Sequence, residues 1–228
     1  MRALIRELET VDEALPQSSS LTLLRRTEDP IRAADLSWRC DPAASQFRPN
    51  LFGHTPVTIW LTGLSGAGKS TLARALEERL MKERRPCFVL DDDNIGDCLD
   101  RDLGPSGDDR KENIRHAAKA ARSMNEAGLI VIATFISPYR EDRETARAII
   151  GDPHFVEVHV SASADVCELR DPKGLHAKTR SGQILAFTGI SSPYEIPLLP
   201  TLVLDTGVLT VEHAVNELFE LLAARFFG

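Results

Sequence analysis

The chain has 228 residues, 43% of them hydrophobic and 27% charged, with a formal net charge of -7. That length suits one medium domain with a short extension, and that composition suits a globular protein with a substantial core. The acidic balance argues against a nucleic-acid binder, and no run approaches the ~20 apolar residues of a membrane helix.

In chain order, residues 1–35 read as an N-terminal extension, flexible or loosely docked. A short helix near Leu4, Ile5 and Leu8 runs into the loop signal Pro16-Gln17-Ser18-Ser19-Ser20. A partner-binding arm is the alternative. Residues 36–228 form the main domain. Val57–Thr62 is a short apolar strand, followed by a glycine-rich turn and a helix over Ser70–Arg84. Cys87–Leu90 is a second strand, Asp108–Ala127 a long helix and Leu129–Phe135 a third strand. Arg140–Ile150 is a helix, Phe155–Val160 a strand, Ala164–Leu169 a short helix and Leu202–Leu204 a brief strand. Val211, Ala214, Val215, Leu218, Leu222 and Phe226 recur at helical spacing and mark a final helix. Short uninterrupted β-branched runs separated by helices predict a doubly wound, mainly parallel five-stranded α/β sheet, with ligands at the carboxyl ends of its strands.

Cys40, Cys87, Cys98 and Cys167 form no C-x-x-C pair, so zinc and redox motifs lack support. The cysteines fit reduced thiols of a cytoplasmic protein. The first thirteen residues mix Arg and Glu and do not read as a targeting signal.

Gly63-Leu64-Ser65-Gly66-Ala67-Gly68-Lys69-Ser70 matches G-x-x-x-x-G-K-[ST] in the strand-to-helix context the motif requires. Backbone N–H groups of such a loop curl around phosphate oxygens, and the helix N-terminus adds partial positive charge. Lys69 is expected to reach the β- and γ-phosphates of ATP. Ser70 is expected to hold Mg²⁺, with Thr71 beside it on the nucleotide. This makes the domain a P-loop kinase candidate with a small nucleotide-like acceptor.

The second strand ends in Leu90-Asp91-Asp92-Asp93-Asn94. Three adjacent carboxylates repel unless a cation lies near. Asp93 is the candidate that orients or deprotonates the acceptor hydroxyl, and Asp91 a supporting or metal-shell carboxylate. The alternative is a solvated acidic turn.

Several further segments, in order, resemble the adenylylsulfate kinase (APS kinase) family. They are Asp108-Asp109-Arg110-Lys111-Glu112-Asn113-Ile114-Arg115, Phe135-Ile136-Ser137-Pro138-Tyr139-Arg140, Arg170-Asp171-Pro172-Lys173-Gly174-Leu175, Phe187-Thr188-Gly189-Ile190 and Ser192-Pro193-Tyr194-Glu195. The resemblance begins near Leu36-Ser37-Trp38 and continues almost to the end. It implies ATP-dependent phosphorylation of the 3′-hydroxyl of adenylylsulfate, and weakly a homodimer. It also implies that Asp93, Asn94, Arg110 and Asn113 hold the acceptor nucleotide and that Ile136 and Ser137 line its pocket. Lys173 would sit in a mobile lid, Phe187 would stack on the acceptor adenine and Arg170 would contact ATP. Ser137 stands where the family carries a serine labelled a phosphoserine intermediate, which makes it a catalytic candidate beside Lys69 and Asp93. In-line transfer, however, needs only positioning and charge neutralisation.

The chain departs from the family on the acceptor side. Where the family has D-G-D-N-[VI]-R-x-G-L-N, this chain has Asp92 for the first glycine, Gly96 for the arginine, Cys98 for the second glycine and Asp100 for the final asparagine. Pro105 stands where an aromatic is common. Asp97 adds further acidity. Two other readings therefore stand beside an APS kinase: a related kinase with another nucleotide-like acceptor, and a nucleotide-binding regulatory module with little turnover.

Overall fold

A computed structural model describes residues 52–91, 107–171, 174–180, 188–189 and 192–228. The expected N-terminal extension lies outside these residues. So do Asp93, Asn94, Lys173 and Phe187, and the departures at Asp92, Gly96, Asp97, Cys98, Asp100 and Pro105.

The elements in order are β1 (Thr58–Thr62), α1 (Lys69–Lys82), β2 (Cys87–Asp91), α2 (Gly107–Glu126), β3 (Ile130–Thr134), α3 (Arg140–Ile150), β4 (Phe155–Ser161), α4 (Ala164–Arg170), α5 (Leu175–Arg180), β5 (Leu202–Asp205) and α6 (Val211–Phe226). The described strands form one sheet in the order β2-β3-β1-β4-β5, every pair parallel.

β1 is buried along its whole length because side chains alternate between two covered faces. Ile59 and Leu61 enter a core with Leu72, Leu76 and Leu80 of α1 and Leu218 and Leu222 of α6. Trp60 enters the opposite core with Ala117, Ala118 and Ala121 of α2 and Ala146 and Ile150 of α3. Small residues on α2 let that helix lie close to the sheet. The indole of Trp60 stacks on Phe135, with ring centroids 5.1 Å apart.

Local chemistry sets the helix ends. Ser163 caps α4 by accepting from the Val166 N–H at 3.3 Å, and Thr210 caps α6 by accepting from the His213 N–H at 3.2 Å. Successive strands pass from β1 to β2 and β3 on one side, then to β4 and β5 on the other. The crevice at this reversal, beyond the carboxyl ends, is where an open α/β sheet binds ligands. The phosphate-loop sequence leaves β1 at that point.

Candidate active site

The loop from Gly63 to Gly68 is shaped by close backbone approaches. A side chain on Gly63 would place Cβ 2.3 Å from the Val160 carbonyl oxygen, and one on Gly66 would place it 2.6 Å from that of Cys167. Both contacts forbid any other residue without a shift of backbone. The Ala67 N–H donates to the Leu64 carbonyl at 3.1 Å, closing the turn. Lys69 opens α1 and folds back over the loop, where its Nζ donates to the carbonyls of Gly63 and Leu64, each at 2.9 Å. The ammonium therefore lies over the loop that is to cradle phosphate.

Ser70 Oγ donates to Asp91 Oδ2 at 3.2 Å, joining the first turn of α1 to the end of β2. A hydroxyl and a carboxylate side by side are hard oxygen donors and fit Mg²⁺, which typically takes one or two protein oxygens together with substrate phosphates. Lys69, Ser70, Thr71, Asp91 and Ile136 line a cavity of about 660 Å³. Ser65, Gly66, Gly68 and Arg170 share its wall.

The far wall of that cavity was not among the sequence candidates. Thr206, just after β5, donates through Oγ1 to the Ala67 carbonyl at 2.7 Å. It also receives Arg170, whose Nη2 reaches the Thr206 carbonyl at 2.6 Å and whose Nη1 reaches Oγ1 at 3.1 Å. Thr206 thus ties the phosphate loop, α4 and the end of β5 together. Leu209, Val211 and Ala214 continue the wall with apolar surface suited to a base. The rule that ligands sit at carboxyl ends, applied to the brief last strand, was the signal available for Thr206.

Among the segments expected to hold the acceptor, residues far apart in sequence converge. Arg110, on α2, directs Nη1 to Thr188 Oγ1 at 3.5 Å. Gly189 lies against Leu64 of the phosphate loop, since a Cβ there would fall 2.7 Å from Leu64 Cδ2. The Thr188–Gly189 segment therefore touches both α2 and the donor loop. Asn113 sits one helical turn beyond Arg110 on α2.

Ile136 reaches the cavity, whereas Ser137 is 2% exposed and turns inward with φ 38°. Ser137 Oγ accepts from Trp60 Nε1 at 3.1 Å and donates to Thr62 Oγ1 at 3.0 Å. Thr62 in turn donates to the Ile136 carbonyl at 2.8 Å. With the Thr62 proton so committed, Tyr194 supplies the proton of the 3.0 Å bond between its hydroxyl and Thr62. Burial holds the Tyr194 pKa above its ordinary value, in keeping with a phenol that keeps its proton.

Beneath this chain of hydroxyls lies Arg143, whose side chain is 3% exposed. Its Nε donates to Glu157 Oε1 at 2.8 Å, its Nη1 to the Ser137 carbonyl at 2.6 Å and its Nη2 to the Glu195 carbonyl at 2.7 Å. One planar guanidinium thus pins the Ile136–Ser137 bend to the Tyr194–Glu195 segment and to β4. The Glu195 N–H donates to the Pro138 carbonyl at 2.8 Å, and Glu195 Oε2 accepts from the Arg140 N–H at 2.8 Å.

The pattern of the adenylylsulphate kinase family matches residues 55–205. The adenylyl-sulfate kinase of Pseudomonas entomophila is 47% identical over 191 residues, covering 84% of this chain and 92% of its own. That of Geotalea daltonii is 50% identical over 173 residues, covering 76% and 85%. Among solved structures, the APS kinase of Mycobacterium tuberculosis in complex with AMPPNP and APS superposes with a TM-score of 0.71 at 40% identity. That superposition covers 74% of this chain and 98% of the other.

Proposed function

The chain belongs to the adenylylsulfate kinase family, and from that premise we propose that it transfers the γ-phosphoryl group of ATP to the 3′-hydroxyl of adenylylsulfate. The products are ADP and 3′-phosphoadenylylsulfate. The observation that carries this reading is the meeting of the acceptor-side segments with the donor loop: Arg110 reaches Thr188, and Gly189 packs on Leu64.

Backbone N–H groups of the Gly63–Gly68 loop and the N-terminus of α1 receive the β- and γ-phosphates. Lys69 moves from the loop carbonyls onto the phosphate oxygens and neutralises charge as the Pγ–O bond to the leaving ADP breaks. Ser70 and Asp91, joined at 3.2 Å, would hold Mg²⁺, which would supply further neutralisation of the phosphate oxygens. The acceptor 3′-oxygen forms the new bond to phosphorus, and Asp93 orients the hydroxyl and accepts its proton. Arg110 and Asn113 on α2, with Lys173 and Phe187, hold the acceptor nucleotide.

Arg170 and the Thr206–Ala214 wall hold the donor base. Ser137 acts as a positioning residue: its hydroxyl sets the bend that presents Ile136, and it lies within the Trp60–Thr62 hydrogen-bond chain. Among the described residues no helix is long and apolar enough to cross a membrane. A cytoplasmic location and a homodimeric state complete the proposal.

The test is product analysis by mass spectrometry. Adenylylsulfate with ATP yields a 3′-phosphorylated product, and 3′-deoxyadenylylsulfate yields none. Phosphorylation of both acceptors, or of neither, would remove the assignment.

A further inference from the structure

The carboxyl end of β3 holds a hydroxyl that the described residues leave unsatisfied. Thr134 is 3% exposed, and its Oγ1 has no hydrogen-bond partner among them. Native proteins satisfy nearly all such groups, so the hydroxyl calls for a partner that arrives with a ligand or water.

Its surroundings say which. Side chains alternate along a strand, and Ile130 and Ile132 belong to the core under α1. Thr134 continues that face, toward the phosphate loop, and lines the same cavity as Lys69, Ser70 and Asp91. In the sheet register Thr134 pairs with Asp91 of β2 on one side and with Leu61 of β1 on the other. Val89 packs against the α1-side core, so Asp91, two residues on, shares the face of Thr134. Ser70 Oγ, Asp91 Oδ2 and Thr134 Oγ1 thus belong to one wall, with the first two already joined at 3.2 Å.

A carboxylate next door repels a phosphate oxygen and attracts the protons of metal-bound water. Mg²⁺ usually keeps several waters when it binds with a nucleotide, and those waters need acceptors. We propose that Thr134 is a further binding residue of the donor site, its Oγ1 accepting a hydrogen bond from a water on the Mg²⁺ that enters with ATP. The proposal rests on the donor half of the function given above and is independent of which acceptor is used.

The variant is Thr134→Val, which keeps shape and β-branching and removes the hydroxyl. Calorimetry measures the dissociation constant of the full-length protein for AMPPNP, once with Mg²⁺ and once with EDTA. The expected result is a loss of about five- to tenfold with Mg²⁺, the scale of one hydrogen bond, and a change of less than about twofold without it. Thr134→Ser, which retains the hydroxyl, keeps the metal-dependent gain. An equal loss with and without Mg²⁺ would assign Thr134 to the phosphate and overturn the proposal. So would unchanged affinity in both, or a folded Thr134→Ser protein that loses the metal-dependent gain. If Thr134→Val fails to fold, Thr134→Ala is read by the same two constants. A wild-type protein with no metal-dependent gain would instead remove the donor reading itself.

Discussion

Replacing Arg143 by methionine removes a buried fork that joins β4 to the Ile136–Ser137 bend and to the Tyr194–Glu195 segment. Breaking a buried ion pair costs about 3–5 kcal/mol because one charge is left without its partner. Here the low end applies, since Glu157 Oε2 keeps Arg147 Nη2 at 3.3 Å. The Glu195 carbonyl loses its donor as well, and the Ser137 carbonyl keeps only Thr62 Oγ1 at 3.5 Å, adding about 1 kcal/mol. The expected destabilisation is about 3–4 kcal/mol, or about 10 °C in melting temperature for a domain of this size.

The bend carrying Ile136 also loosens, so the half-saturation concentration for adenylylsulfate rises about tenfold at saturating ATP while that for ATP stays within about twofold. Denaturant unfolding followed by circular dichroism gives the first quantity, and initial rates give the second. The double variant Arg143→Met with Glu157→Met separates the two effects. It regains stability, because apolar side chains replace the pair, but not acceptor affinity, because the two carbonyls remain without the guanidinium. An Arg143→Met protein within about 1 kcal/mol of wild type, or one that loses ATP and acceptor affinity equally, would show that Arg143 does not support the bend.

Asp93→Asn should lower turnover by about 10²–10⁴-fold while AMPPNP affinity holds, because a group that receives the hydroxyl proton acts chiefly in the transition state. Lost nucleotide affinity with turnover retained at saturation would move Asp93 to the donor site. Gly96→Arg with Pro105→Phe should improve acceptor binding by about 2–4 kcal/mol, returning a cation among Asp92, Asp97 and Asp100 and a stacking face for the base. An unchanged half-saturation concentration would count against a weakened acceptor loop. Burial, then the charge of Arg143, holds the His159 pKa below its ordinary value of 6.5, with Glu157 opposing. The stability contributed by that neutral ring is fully present above about pH 6.5 and is lost as pH falls, because the unfolded chain takes the proton first. His54 is also depressed by burial and contributes with the same sign. His159→Asn should therefore flatten the fall in unfolding free energy between about pH 7 and 5, and an unaltered slope would reject this assignment.

The sheet and most helices were legible because their signals are local and repeated. Pro138 and Tyr139 before, and Gly151 after, bracket α3, whose bounds match the expected Arg140–Ile150. The apolar runs of β1, β3 and β4 became strands covered on both faces, as expected of a parallel sheet, whereas Phe88 of β2 and Val203 of β5 stand exposed on the edge strands. The six-residue helix α5 went unseen because Leu175-His176-Ala177-Lys178-Thr179-Arg180 carries no apolar periodicity.

Site residues were hidden where one residue type serves two ends. Arg143 reads as an ordinary charge on a helix rich in Arg and Glu, and only the tertiary packing shows that its face is the buried one. Trp60 reads as one more apolar residue of β1, although its N–H holds Ser137. Thr134 reads as a β-branched filler at the end of β3, because β-propensity and a cavity-lining hydroxyl look alike in sequence. Thr206 and its partner Arg170 meet across 36 residues, a separation no local pattern spans.

On the proposed function, the donor loop and the segments that converge on it form one phosphotransfer site for adenylylsulfate. A coupled assay of ADP release, run with and without adenylylsulfate on wild type and on Lys69→Ala, is the decisive test. ADP release is expected to depend on adenylylsulfate in wild type and to be abolished in a Lys69→Ala protein whose circular dichroism is unchanged. ADP release that ignores adenylylsulfate, or near-normal turnover in a folded Lys69→Ala protein, would contradict that function.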